Sequence, residues 1–238
     1  MKIVKNEKLI KRNAHIGQYT SFAALGVLGV GMYISIKRQD LFIYSVACLI
    51  LGFVMTQIGM HFANRWGRSP RPDEQLDTAL KGIPSDTVLY HYTTPVQHLL
   101  VGPAGVWVLQ TYHQKGKLSY AKNRWRLTGG GFMQAYMSVF GQEGIGRPDI
   151  DAANAAEAIK KYLVNHDIPE AEIPTIQSAL VFTSEEAQVD VPDAPLPAMK
   201  VKQLKEFIRQ RTRERSVGSM LLEQIKSALD GQEATTSE

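Results

Sequence analysis

The chain is poor in the residues that most often announce chemistry. It has one cysteine, Cys48, in 238 residues, which excludes an intrachain disulfide and gives no reason to place the protein in an oxidising compartment. No His-Glu-x-x-His, Gly-x-Ser-x-Gly or cysteine-nucleophile signature is present, and His91, His98, His113 and His166 lack a partnered spacing. The triplet Gly129-Gly130-Gly131 is not followed by Gly-Lys-Ser/Thr and reads as a connector, not a phosphate loop. No internal repeat occurs. Charge of either sign is missing from residues 19–36 and 41–62, and no acid occurs between Asp86 and Glu143.

The two uncharged stretches are each of roughly the length needed to cross a bilayer core of about 30 Å. A cleaved signal peptide fits badly, because the first run is long, is followed within four residues by the second, and lacks a small-x-small cleavage site. A transmembrane helical hairpin is the expectation, with the buried hairpin of a soluble core as the other reading. Lys2, Lys5, Lys8, Lys11 and Arg12 precede the first span, and Arg65, Arg68 and Arg71 follow the second, against Lys37 and Arg38 in the loop. That bias predicts both termini in the cytosol and a multi-pass protein of the plasma (inner) membrane. Tyr19, Tyr33, Tyr44 and Trp66 fall near span ends, where amphipathic rings favour headgroups. Gly26, Gly29 and Gly31, with Cys48, Gly52 and Gly59, predict close backbone approach within the hairpin or, alternatively, a homo-oligomer face. Residues 1–62 carry a net charge of +5 and the remainder −1, so the overall +4 belongs to the anchor, not to a polyanion-binding globule.

The expected organisation is a basic N-terminus over 1–18, the hairpin over 19–66, a linker over 67–72, an α/β domain over 73–198, a C-terminal amphipathic region over 199–230 and a disordered tail over 231–238. About 170 residues outside the hairpin suffice for one core. Within them the pattern predicts a helix to about Lys81 and strands near 87–92, 99–101 and 106–111. A ribbon turning at Lys122-Asn123, a helix over 151–164 and a buried strand over 176–182 follow. Val189 to Pro197 reads as an extended loop, and Ser184-Glu185-Glu186 as a loop or helix start.

The most informative stretch runs Val96-Gln97-His98, then Val101-Gly102-Pro103-Ala104-Gly105-Val106-Trp107-Val108, then Leu109-Gln110-Thr111-Tyr112. It resembles the NERD (nuclease-related) domain, whose usual pattern reads roughly I-D-H, aliphatics, G-P-x-G-V-(F/W)-V, then I-E-T-K. Residues 72–84, Lys115-Gly116-Lys117 and Trp125 follow the family order, so the resemblance covers about residues 71–127, and 152–183 more loosely. It implies a restriction-endonuclease-like core (helix, mixed sheet, helix) after the transmembrane hairpin. The family's metal-binding Asp and Glu and its Lys fall on Gln97, Gln110 and Tyr112. Such sites need hard anionic oxygens to hold Mg²⁺ and activate water, and neutral glutamines do so poorly. A tyrosine of ordinary pKa, near 10, does not replace the lysine.

The resemblance therefore implies a catalytically degenerate, membrane-tethered domain that binds nucleic acid or a protein and uses no cofactor. The alternative is an active Mg²⁺-dependent nuclease of DNA or RNA whose carboxylates come from Glu74, Glu143 or Asp149. Glu74 matches the acidic position of the family's opening helix, although a carboxylate in a first helical turn is also favoured by the helix dipole. His98 matches the His after the family Asp and is expected to orient a neighbour or pack. Lys115, Lys117, Lys122, Arg124 and Arg126, interleaved with Tyr112, Tyr120 and Trp125, form a candidate nucleic-acid surface. The same pattern also fits a solvated ribbon with its aromatics turned inward. A second basic run, residues 200–215, holds 7 Lys+Arg and reads either as a lipid- or nucleic-acid-facing helix or as the wet face of a helix packed on the domain.

Overall fold

The computed structural model describes residues 1–67, 69–129, 145–214 and 217–230. The expectations for Arg68, Gly130, Gly131, Glu143, Arg215 and the tail at 231–238 lie outside the described residues. Two compact units emerge, one of Asn6–Glu74 and one that joins Met1–Lys5 to Gln75–Glu238.

The first unit is an α-helical hairpin. Asn6 starts α1 (Glu7–Lys37) by accepting the Leu9 N–H at 2.9 Å, and Glu7 places an acid in the first turn. A 3₁₀ turn at Gln39–Leu41 leads into α2 (Phe42–Phe62), which ends in a π-helical turn at Ala63–Gly67. Ile10, Gly17, Ala24 and Gly31 are the buried positions of α1, and Ser45, Gly52 and Gly59 those of α2. Both sets recur every seventh residue, the period that keeps one seam of a helix against its neighbour at a shallow left-handed crossing. A Cβ on Gly59 would stand 2.4 Å from Ser21 Oγ, and one on Gly52 2.6 Å from Leu28. The remaining surface is apolar and outward, with Phe22, Leu25, Tyr33, Phe42, Ile50 and Phe53 all more than half exposed. Both helices are long and apolar enough to cross a membrane.

Two hairpin expectations are corrected. Gly26 and Gly29 do not pack within the hairpin, for an added Cβ at either meets nothing within 4 Å, because neither falls on the seven-residue seam. Trp66 is buried, unlike the exposed Tyr19, Tyr33 and Tyr44, since the wide turn Ala63–Gly67 carries it and Arg65 lies 5.7 Å from its ring.

The second unit is α/β. Its main sheet is mixed and six-stranded, in the order β1 (Lys2–Lys5), β2 (Val88–His91), β3 (His98–Gly102), β4 (Gly105–Tyr112), β7 (Ile176–Phe182), β9 (Ala198–Lys200). The strands β2, β3 and β4 form an antiparallel meander, while β1, β7 and β9 pair in parallel with their neighbours. The turn between β3 and β4 needs Gly105, whose φ of +104° is open to glycine alone among common residues. Alternation along β4 then divides the core. Val106 and Val108 face α4 (Pro148–Val164) and α6 (Ser219–Asp230) through Ile159, Leu163, Ile225 and Leu229. Trp107 and Leu109 face α3 (Pro72–Ala79) and α5 (Leu204–Glu214) through Leu76, Leu204 and Ile208. A smaller sheet, β6 (Arg124–Thr128), β5 (Gly116–Ala121), β8 (Ala187–Val189), covers Leu180 and Phe182 with Leu118 and Trp125.

The expected boundaries at 18 and 198 do not hold. Residues 2–5 are an edge strand of the globular sheet, and both C-terminal helices supply its core. Among the described residues, the basic side chains Lys205, Arg209, Arg211 and Arg213 are thus the wet face of a packed helix. Gly59→Leu lowers the thermal midpoint in mild detergent, at a cost of about 1–3 kcal/mol from overpacking, while Gly26→Leu leaves it unchanged. Equal effects of the two would overturn the seam.

Candidate functional site

The register of β3 on β4 pairs Leu99 with Val108 and Leu100 with Trp107. Gln97 lies just before β3, and Gln110 lies two residues beyond Val108 on β4. Tyr112 follows two residues on, so its side chain shares the Gln110 face, and its hydroxyl donates to Gln110 Oε1 at 3.3 Å. Of the three positions at which the resemblance implies Asp, Glu and Lys, the structure joins Gln110 and Tyr112 by this hydrogen bond. Gln97 is exposed and Gln110 and Tyr112 are half-buried. Burial pushes the Tyr112 phenol above its ordinary pKa, and the charge of Asp151 in the first turn of α4 adds to this. The ring stacks on Phe182 with centroids 5.4 Å apart. What meets here is a carboxamide, a protonated phenol and one neighbouring carboxylate, a set that exchanges neutral hydrogen bonds and offers few of the anionic oxygens a Mg²⁺ shell uses.

Two of the carboxylates advanced for metal binding, Glu74 and Asp149, are engaged by arginines. Glu74 accepts from Ser69 Oγ at 3.0 Å and from the Arg71 N–H at 2.9 Å, and pairs with the Arg71 guanidinium. Arg71 also grips the buried Asp73 at 3.0 Å, so this first turn of α3 is a cluster of paired charges. Asp149 pairs with Arg147 at 3.2 Å, which holds its carboxyl below the usual range. Among the described residues no group of three His, Cys, Asp or Glu is placed to hold a metal ion.

On the opposite face of the meander a buried polar relay joins three elements and the N-terminal strand. His91 and His98 oppose each other across β2 and β3, with Nδ1 atoms 2.7 Å apart. At that separation the rings share one hydrogen, one nitrogen donating and the other accepting. The arrangement that leaves both rings neutral has His98 donating to His91, whose Nε2–H then donates to Asp77 Oδ1 at 3.0 Å. The other Asp77 oxygen accepts from Lys5 of β1. Burial alone would raise Asp77, but the hydrogen bonds from His91 and Lys5 outweigh it and hold the carboxyl below its ordinary value. Tyr92, at φ +60°, closes the relay with its ring edge-on to His98 at 5.0 Å. Sequence reasoning singled out His98 but missed Lys5, Asp77 and Asp151. The hairpin register alone makes partners of His91 and His98, whereas nothing local ties Lys5 to Asp77.

The five cations divide. Lys115 pairs with Glu186 at 2.6 Å, while Lys117, Lys122, Arg124 and Arg126 are exposed on β5, its turn and β6. Lys122 and Asn123 both adopt positive φ, the tight-hairpin conformation that sends the two strands back on each other. The aromatics face inward, for Trp125 is buried, Tyr120 lies against it at 5.1 Å and Tyr112 is stacked on Phe182. Among the described residues no stacking platform accompanies the charges. A separate cleft of about 270 Å³, lined by Trp107, Pro174, Gln177, Arg211 and Val217, lies at the Gly105 end of β4, away from Gln110.

Compared with family models, characterised proteins and solved structures, the chain matches none.

Asp77→Ala removes the acceptor shared by Lys5 and His91 and is expected to destabilise by about 1–3 kcal/mol. Because the folded carboxyl is depressed, its contribution is complete above the unfolded value near 4 and is lost as pH falls through the folded value. Wild type and Asp77→Ala should therefore converge in thermal midpoint under strongly acidic conditions and differ most at neutral pH. A constant difference across that range would refute the linkage.

Proposed function

We propose that this is a membrane-anchored, nuclease-related domain whose metal chemistry has been replaced and which acts as a binding module for nucleic acid or a protein. The observation that carries the reading is the hydrogen bond between Tyr112 and Gln110, on the frame where the resemblance implies Lys and Glu, with the neutral Gln97 where it implies Asp. The element order supports it as well. α3, the β2–β3–β4 meander, α4 and the parallel strand β7 follow the helix, mixed sheet, helix arrangement of a restriction-endonuclease-like core. Phosphodiester hydrolysis asks for two or more carboxylates on a divalent ion. Of those advanced for the nuclease alternative, Glu74 and Asp149 are held by arginines.

The anchor reading has its own support. With β1 paired to β2 in one sheet, the residues before α1 and after α2 lie on the same side of any membrane, as two spans require. The basic flanks favour the cytosolic side of the inner membrane.

Full-length protein in detergent, incubated with labelled DNA and RNA in Mg²⁺, Mn²⁺ or chelator, should leave both uncut, and a mobility shift would identify nucleic acid as the ligand. Installing Gln97→Asp with Gln110→Glu should create divalent-ion binding absent from the native chain, read by calorimetry. Metal-dependent cutting by the native protein that Asp151→Asn abolishes would overturn the degenerate reading.

A further inference from the structure

The ribbon of β5 and β6 has two unlike faces. Register pairs Lys117 with Thr128, Ser119 with Arg126 and Ala121 with Arg124, so these six side chains share the outward face. Leu118, Tyr120, Trp125 and Leu127 share the other and pack on Leu180 and Phe182. With Lys122 at the turn, the outward face presents four exposed cations and two hydroxyls and no carboxylate. Among the described residues none of the four cations is in an ion pair, whereas Lys115 at the foot of the ribbon is paired with Glu186. Because the aromatic side is fixed in the core, the cationic side cannot turn inward.

We propose that this face docks on the anionic phosphodiester headgroups of the bilayer that the hairpin crosses, an inference that rests on reading α1 and α2 as membrane spans. Three features favour a lipid surface. On β5 and β6, which β8 extends to a three-stranded sheet, and at their turn, the outward side chains include four cations and no carboxylate. Among the described residues of the ribbon, no aromatic faces outward of the kind that sites for single-stranded nucleic acid use for base stacking. The ribbon offers instead evenly spaced point charges and hydroxyls, which suit a plane of phosphates. A domain tethered by two spans meets that plane at high effective concentration, so attractions of individually small size act together. The absence of acids from Asp86 to Glu143 then has a physical reason, since a single carboxylate on this face would repel the same surface.

The lone cysteine makes the test direct. In a Cys48→Ser chain, Ala121→Cys on the outward face takes a spin label, and the full-length protein is placed in nanodiscs of phosphatidylcholine alone or with about one third phosphatidylserine. Docking predicts that collision with a water-soluble nickel chelate falls severalfold in the anionic discs and recovers in high salt. Lys117→Gln with Arg124→Gln and Arg126→Gln, neutral changes at exposed positions, should abolish the fall. Equal accessibility in both discs overturns the proposal. So does a fall in neutral discs produced only by added RNA or DNA, which would assign the face to nucleic acid. A chain that stays soluble without detergent and never enters discs would overturn the membrane reading and this proposal together, a result distinct from either of the others.

Discussion

The pairing of β3 with β4 is the constraint on which the rest of the globular unit depends. The turn from Gly102 to Gly105 fixes their register, and side chains alternate with a period of two, so every later residue of β4 is assigned to a face by that one turn. Val106 and Val108 go to one helical layer, Trp107 and Leu109 to the other. A slip of one residue would bury Gln110 and Tyr112 among the leucines of α3 and α5 and expel Trp107. The register that builds the core also sets Gln110 and Tyr112 on one face and, through β2, brings His98 to His91. Packing and polar arrangement are not separable here.

Much of this was legible in the sequence. The meander, the ribbon turning at Lys122-Asn123, the strand over 176–182 and the helix ending at Val164 are all written in local periodicity and turn residues, which act over a few positions. What escaped depends on distant partners. Lys2–Lys5 is four residues long and reads as a basic leader until β2 supplies its hydrogen bonds. The C-terminal helices look like a separate amphipathic region because their apolar faces are visible but the sheet that covers them is not. At the candidate site the spacing of Gln97, Gln110 and Tyr112 was readable as a frame, while Asp151 and the Lys5–Asp77–His91–His98 relay were not, since each joins elements far apart in the chain. Glycine count also misled, for Gly26 and Gly29 differ from Gly31 only in position around the helix.

The two polar clusters of the meander differ in kind. Gln97, Gln110 and Tyr112 are reachable from solvent and present neutral hydrogen-bonding groups beside a single carboxylate. The His91–His98 pair is enclosed and ends on an ionised aspartate held by a lysine, so its hydrogen bonds are spent inside the protein, ordering β1, β2, β3 and α3. Only the first has the exposure a ligand requires. In the second, His98 has a structural partner in His91 that needs no metal.

Because β1 lies in the same sheet as the strands that follow the hairpin, the apolar hairpin is an insertion in the sequence of the globular fold, in effect one long connection between an edge strand and a helix. Strand β1 is among the last elements to be placed, since Lys2 pairs with Val88 only after both helices have been made. A protease that cuts the short connection between α1 and α2 therefore nicks the protein without releasing it. The amino-terminal piece stays bound through strand pairing, through Lys5 on Asp77 and through Lys2 on Asp230 at 2.9 Å. A single cut beyond α2 would separate the rest of the sheet from the hairpin and leave β2 as an open edge once β1 dissociates, whereas a second cut before α1 would keep β1 in place.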